Sequence, residues 1–257
     1  MTWAYQHSTT LRMSSTSWPT NLVLGIDGLP VGALSPMSQF RRRKEGTVLS
    51  VYTFGDSILD CGHYNAFGIN PGQLLVHNDD RLFPEFRGHD LSSLVGPARL
   101  IHRAQDGATV SNLPTQARGL PIDGEAIALL SIGGNDLLGR PDMGQGPEMQ
   151  GFAEALERFL QALPIRPVFL GNVYDPTFGD DSYNFLDIEP SIARQSHRMV
   201  NDVIAELAKR YGALVDLHAH FLTGDLSWFT QIIEPSLRGA SEIRRCFLRQ
   251  VLTHGRQ

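Results

Sequence analysis

The stretch 51-VYTFGDSILDCG-62 sets a serine, Ser57, directly behind a short apolar run and between Asp56 and Asp60. The run 48-VLSVYTF-54 is rich in β-branched and aromatic residues and stops at Gly55-Asp56, so it reads as a buried strand ending in a turn. Four further runs have the same character: 97-PARLIHRA-104, 125-EAIALLSIG-133, 167-PVFLGNV-173 and 213-ALVDL-217. Helical periodicity fills the intervals. Phe152, Leu156, Phe159, Leu160 and Leu163 share one helix face, as do Ile192, Met199, Val203, Ile204 and Leu207, with Gly212 as the stop. A last helix is expected from about Ser236 to Leu252. Strands alternating with helices predict an α/β fold with a parallel sheet covered on both faces. In such a sheet the ligand lies beyond the carboxyl ends of the strands.

The bulk numbers fit one large globular domain or two small ones. A chain of 257 residues with 42% hydrophobic and 19% charged residues can bury a sizeable core. Its net charge of -5 argues against nucleic acid or an anionic membrane surface as partner. No apolar run approaches the roughly 20 residues of a membrane span. Cys61 and Cys246 are far apart and lack metal-ligand spacing, which suits free thiols in a reducing compartment. Residues 1 to 47 are rich in Ser and Thr, end in 41-RRRKEG-46 and show no sustained apolar period. They read as a disordered leader or an upstream start, and the domain proper as 48 to 257. A cytoplasmic protein is the expectation, since the N-terminus lacks the order of a secretory signal.

The polar residues of interest all follow strands. Gly55-Asp56-Ser57 ends the first, 106-DGAT-109 the second, 133-GGND-136 the third, 171-GNVYDPTFGDD-181 the fourth and 218-HAH-220 the fifth. Each block alone is ordinary turn chemistry, and Ser57 does not sit in a G-x-S-x-G elbow. Asn135, after two glycines, is placed to aim its amide at a developing oxyanion. Gly107 is placed to offer a backbone N–H.

Together and in this order, the three blocks resemble the GDSL/SGNH hydrolase family. The resemblance covers about Val48 to Leu252. It implies a three-layer α/β/α flavodoxin-like sandwich with a five-stranded, mainly parallel sheet, and hydrolysis of acyl, acetyl or lipid esters without a cofactor. Residue by residue, it implies that Ser57 is the nucleophile and that Gly107, Asn135 and the Ser57 N–H form the oxyanion hole. The family's last block, Asp-x-x-His before Pro, is where the pattern departs. Here the segment reads 228-WFTQIIEPSLRGASEIRR-245. Anchored on Pro235 and Gly239, it puts Gln231 in the aspartate position and Glu234 in the histidine position.

Three answers to the missing base are open. A histidine from 215-VDLHAHF-221 serves, His218 or His220, with Glu234 holding its other ring nitrogen as the acid of a triad. In extended chain these two histidines share one face. Alternatively the chain keeps the pocket as a weakly active or non-catalytic relative. Or Glu234 acts alone, which requires a raised pKa; about two units cost roughly 3 kcal/mol. A different class, metal-dependent phosphoesterases, also combines such pieces, with Asp56, Asn135, His218 and His220 as hard-metal ligands. The first strand lacks the Asp-x-His ending that this reading needs. Of the loops, 70-NPGQLLVHNDDRLFPEFRG-88 is expected to form one cleft wall or else a solvated connector, and Tyr174, Phe178, Tyr183 and Phe185 the opposite wall. Arg81, Arg87 and Arg99 are candidates for an anionic substrate.

Overall fold

The computed structural model describes residues 47–254, so the expectation of a disordered leader lies outside the described residues. Five parallel strands form the central sheet in the order β2-β1-β3-β4-β5. They are β1 (Leu49–Gly55), β2 (Ala98–His102), β3 (Ala126–Ser131), β4 (Val168–Gly171) and β5 (Gly212–Val215). All five were legible as apolar runs. Every residue of β1 is buried, as expected of a central parallel strand flanked by neighbours and covered on both faces.

Alternation along β1 divides the core into two layers. Tyr52 and Phe54 point to the face covered by the helices Glu148–Ala162 and Pro190–Tyr211, where they meet Leu156, Phe159, Val200 and Ile204. Leu49 and Val51 point to the opposite face, against Ile243, Phe247 and Val251 of the Leu237–His254 helix. The fold is therefore the three-layer α/β/α arrangement. Both long helices carry the expected apolar stripe, and Gly212 stops the second one.

The 70–88 loop folds away from the expected cleft wall. Its helix, Pro71–Val76, is capped by Asn70, whose side chain accepts the Gln73 N–H at 3.0 Å. It packs instead on β1, β2 and the Leu237–His254 helix. A fully buried arginine holds the rest of this loop. Arg244 donates to Asn78 Oδ1 at 2.9 Å and lies over the Phe86 ring at 3.4 Å. Arg81 and Arg87 pair with Asp79 and Asp80 of the same loop, and Arg99 donates to Ser50 Oγ at 3.0 Å. The expectation that these arginines meet a substrate is not supported, because local carboxylates and a strand hydroxyl already engage them.

Candidate active site

The carboxyl ends of β1, β2 and β3 carry Ser57, Gly107 and Asn135. Gly55 ends β1 at φ +119°, and a Cβ there would lie 1.8 Å from the Ser131 carbonyl oxygen, so only glycine fits. The buried Gln116 clamps it from both sides, accepting the Gly55 N–H at 2.7 Å and donating to its carbonyl at 2.8 Å. The chain then turns through Asp56, whose Oδ1 accepts the Ile58 N–H at 3.2 Å. Ser57 sits at the top of this turn, 8% exposed. Among the described residues nothing accepts its backbone N–H.

Gly107 is fixed by side chains of the neighbouring turns. Thr53 Oγ1 is 2.7 Å from His102 Nδ1, and His102 Nε2 is 3.0 Å from Asp60 Oδ1. The other Asp60 oxygen accepts the Asp106 N–H at 2.9 Å. This relay ties the β2 turn to the segment after Ser57. Gly107 itself has φ +74°, is exposed, and its N–H meets no acceptor among the described residues.

Asn135 lies in the first turn of the short helix Gly134–Gly139. Its Nδ2 donates one hydrogen to the Ala108 carbonyl at 3.1 Å, which leaves the second amide hydrogen for the cleft that Asn135 lines. Asp136 beside it accepts the Val110 N–H at 3.1 Å. The place of Asp136 in 133-GGND-136 is the sequence signal for this contact. Two adjacent residues of β3's end thus hold the β2 turn. The three donors, Ser57 N–H, Gly107 N–H and the Asn135 amide, stand on one rigid sheet edge.

Glu234 reaches the site from a different kind of structure. The strands β6 (Phe229–Thr230) and β7 (Glu234–Pro235) form a short antiparallel hairpin, Thr230 opposite Glu234. Its turn holds Gln231 at φ +46° and Ile232 at φ +77°, which is strained for a β-branched residue. Gly239 explains the anchor seen in the sequence, because a Cβ there would lie 2.1 Å from the Trp228 carbonyl oxygen. The Tyr174 hydroxyl donates to the Ile233 carbonyl at 2.6 Å and seats the hairpin over β4. Gln231 is exposed at the turn.

Glu234 and Ser57 both line one cleft of about 140 Å³. Burial raises the Glu234 carboxyl above the ordinary glutamate range, and hydrogen bonding from the Ser57 side chain opposes that rise. Glu234 Oε2 is buried without a hydrogen-bond partner among the described residues. Asp56 also borders the cleft. Burial pushes its carboxyl up to about 8, with Glu234 and Asp136 adding to the rise and the Ile58 N–H opposing it. Asp56 Oδ2 is likewise buried and unpartnered.

The expected histidine triad is not assembled. His218 and His220 lie in a short helix, Leu217–Phe221, rather than in extended chain, so two residues apart no longer means one face. His220 Nε2 is 2.9 Å from Glu242, not Glu234, and its ring stacks on Trp228 at 5.1 Å. Burial pushes the Glu242 carboxyl up, but His220 and Arg245 outweigh it and hold it low. The His218 ring contacts that of His197 at 5.0 Å, and neither His218 nor His220 lines the cleft. The same placements separate Asp56 and Asn135 from His218 and His220 as a ligand set. Among the described residues no three His, Cys, Asp or Glu side chains form a metal-holding group.

Of the aromatic residues expected on the far wall, Tyr174 and Phe185 line the cleft and Phe178 and Tyr183 do not. His197 and Arg194, both on the Pro190–Tyr211 helix, do line it. His197 Nε2 is 2.8 Å from the Val173 carbonyl, and burial lowers its pKa.

With this geometry in view, comparison with known proteins is informative. Residues 53–240 match the GDSL-like Lipase/Acylhydrolase family. The chain belongs to that family. An acetylxylan esterase from Geobacillus stearothermophilus superposes with a TM-score of 0.56 at 19% identity, over 82% of this chain and 96% of its own. An alpha/beta hydrolase enzyme from the metagenome of Lake Arreo, Spain, gives 0.54 at 21% identity, over 80% and 94%. An extracellular lipase from Streptomyces rimosus gives 0.51 at 16% identity, over 81% and 100%. At these identities the likeness is one of fold. No curated protein matches the chain. Among the described residues no helix is long and apolar enough to cross a membrane.

Proposed function

We propose that this GDSL-family chain is a serine hydrolase of carboxylic esters in which Glu234, rather than a histidine, is the general base. The observation that carries the reading is the juxtaposition of the Ser57 hydroxyl and the Glu234 carboxylate in one cleft, which Asn135 with its free amide hydrogen also lines.

The chemistry follows from the residues. Ser57 Oγ attacks the ester carbonyl carbon while its proton passes to Glu234. The carbonyl π bond becomes an oxyanion facing the Ser57 N–H, the Gly107 N–H and the Asn135 amide. The intermediate collapses, the bond to the alcohol oxygen breaks, and Glu234 returns the proton to the leaving alkoxide. An acyl-Ser57 ester remains. Water then adds to it with Glu234 again taking a proton, and collapse releases the acid and restores Ser57. A carboxylate is a weak base for a serine at its ordinary pKa, so a buried and raised Glu234 is the form that suits the task. Asp56, held largely protonated near neutrality, keeps a second negative charge away from the developing oxyanion.

The test is direct. Ser57→Ala is expected to abolish hydrolysis of short p-nitrophenyl esters while the melting temperature stays near that of the wild type. A fluorophosphonate is expected to label wild-type Ser57, as read by peptide mass spectrometry. Full activity in Ser57→Ala would remove Ser57 as nucleophile. A folded wild type that neither cleaves esters nor takes the label would be a non-catalytic relative that keeps the pocket.

A further inference from the structure

We infer that the cleft beside Ser57 is an acyl site for an unbranched apolar chain of about six carbons, not for an acetyl group or a sugar; this rests on the ester-hydrolase reading above. Leu137 and Leu138 follow Asn135 and Asp136 in the same short helix, so the apolar wall begins close to the Asn135 donor. Phe185, Leu186, Pro190 and Ala193 line the same cleft. Leu138 and Phe185, each 39% exposed, are apolar side chains left partly open at this cleft. A dry cavity of about 150 Å³ with such a lining holds a benzene ring, six carbons. The present cleft, at about 140 Å³, has room for a chain of similar bulk.

The polar side chains on this wall are turned largely toward the protein itself, each making at least one hydrogen bond within it. Asp175 accepts the Thr177 N–H and hydroxyl and the Gly179 N–H. Arg194 closes on Asp175 Oδ2 at 2.9 Å and Asp181 Oδ1 at 2.5 Å. Asn184 donates to the Ile188 carbonyl and accepts the Leu186 N–H, and His197 meets the Val173 carbonyl. A sugar needs donors and acceptors that are free to meet its hydroxyls. An alkyl chain needs none.

Orientation follows from the leaving group. The departing alcohol takes its proton from Glu234, whose charged neighbours are Asp106 and His63, a pair 3.2 Å apart and substantially exposed. The alcohol therefore leaves on the open, polar side, and the acyl chain occupies the apolar side.

Each buried methylene is worth about fourfold in transition-state binding. For p-nitrophenyl esters, kcat/KM is expected to rise at least tenfold from acetyl to hexanoyl and to level off beyond about six carbons, the bulk that a cavity of this size holds. Ala193→Phe, which places a ring in the cleft, is expected to lower the hexanoyl-to-acetyl ratio at least tenfold. A second series varies the alcohol at fixed acetyl. A wild type that prefers acetyl, a ratio untouched by Ala193→Phe, or a length dependence that follows the alcohol would each overturn the proposal. Binding of hexanamide and acetamide to Ser57→Ala separates the two claims and decides the matter if Ala193→Phe does not fold. Preference for hexanamide without any ester cleavage would keep the acyl site and remove the hydrolase reading. Equal binding of the two amides, with esters cleaved normally, would do the reverse.

Discussion

The two halves of the site are built by different means. Ser57, Gly107 and Asn135 stand on the ends of adjacent parallel strands, where ladder hydrogen bonds and the Gln116, Asp60 and Asp136 contacts leave little freedom. Glu234 stands on a hairpin with two paired positions, Phe229–Pro235 and Thr230–Glu234, and a turn at positive φ. A sheet edge fixes donors for an oxyanion that must be met without reorganisation. A hairpin outside the central sheet can change a side chain such as Glu234 without disturbing that sheet.

Replacing Asn135 by Ala tests the rigid half and is expected to show a larger effect than the Asp56 and Ile232 substitutions below. The kcat should fall by about a hundredfold or more with KM little changed, because the donor matters in the transition state. An equal loss in binding of an unreactive amide would instead assign Asn135 to ground-state positioning.

Asp56 lies where the two halves meet. Its folded pKa, about 8, stands above the 3.8 of an ordinary aspartate, so the folded state holds the proton more tightly. Stability from this group is full below the unfolded pKa and is lost as pH rises through the folded one. Asp56→Asn, which mimics the protonated acid, is expected to match the wild type near pH 4 and to gain on it steadily as pH rises toward 8, by up to about 1.4 kcal/mol per pH unit, because the unfolded aspartate ionises while the folded one keeps its proton. Urea melts at a series of pH values read this directly. A constant gap across the range would contradict it.

The hairpin carries the smallest effect. Ile232 is 72% exposed and held at φ +77°. Ile232→Gly is expected to stabilise the fold by about 1 kcal/mol, since relief of a strained β-branched residue exceeds the entropy that glycine adds. A loss of similar size would show that the turn is not strained.

The same contrast decides how much was legible in the sequence. The strands and both long helices were readable because apolar period alone specifies them, and the rule that sites follow strands located Ser57, Gly107 and Asn135. Glu234 was found by its place before Pro235 and Gly239. The partner of His220 was not readable, since Glu242 meets it only after the Leu237–His254 helix packs. Nor was the helical turn at Leu217–Phe221, where the Asp216 side chain accepts the Ala219 N–H and caps a segment that alternation made look extended. The 70–88 loop was misplaced for a similar reason. Its anchor, Arg244, lies far away in sequence and looks like an ordinary surface charge until it is buried.

The central claim is that a carboxylate does the work of the family's histidine, and the pH dependence of kcat/KM tests it most directly. Glu234 acts as base when ionised, so the rate should rise with pH through the Glu234 pKa, above the ordinary glutamate range because the group is buried. Glu234→Gln should lower kcat/KM by on the order of a thousandfold and erase that limb. His218→Ala and His220→Ala should leave both the rate and the limb in place. A limb at about 6.5, the ordinary imidazole value, that survives Glu234→Gln and disappears with a histidine replacement would contradict the account.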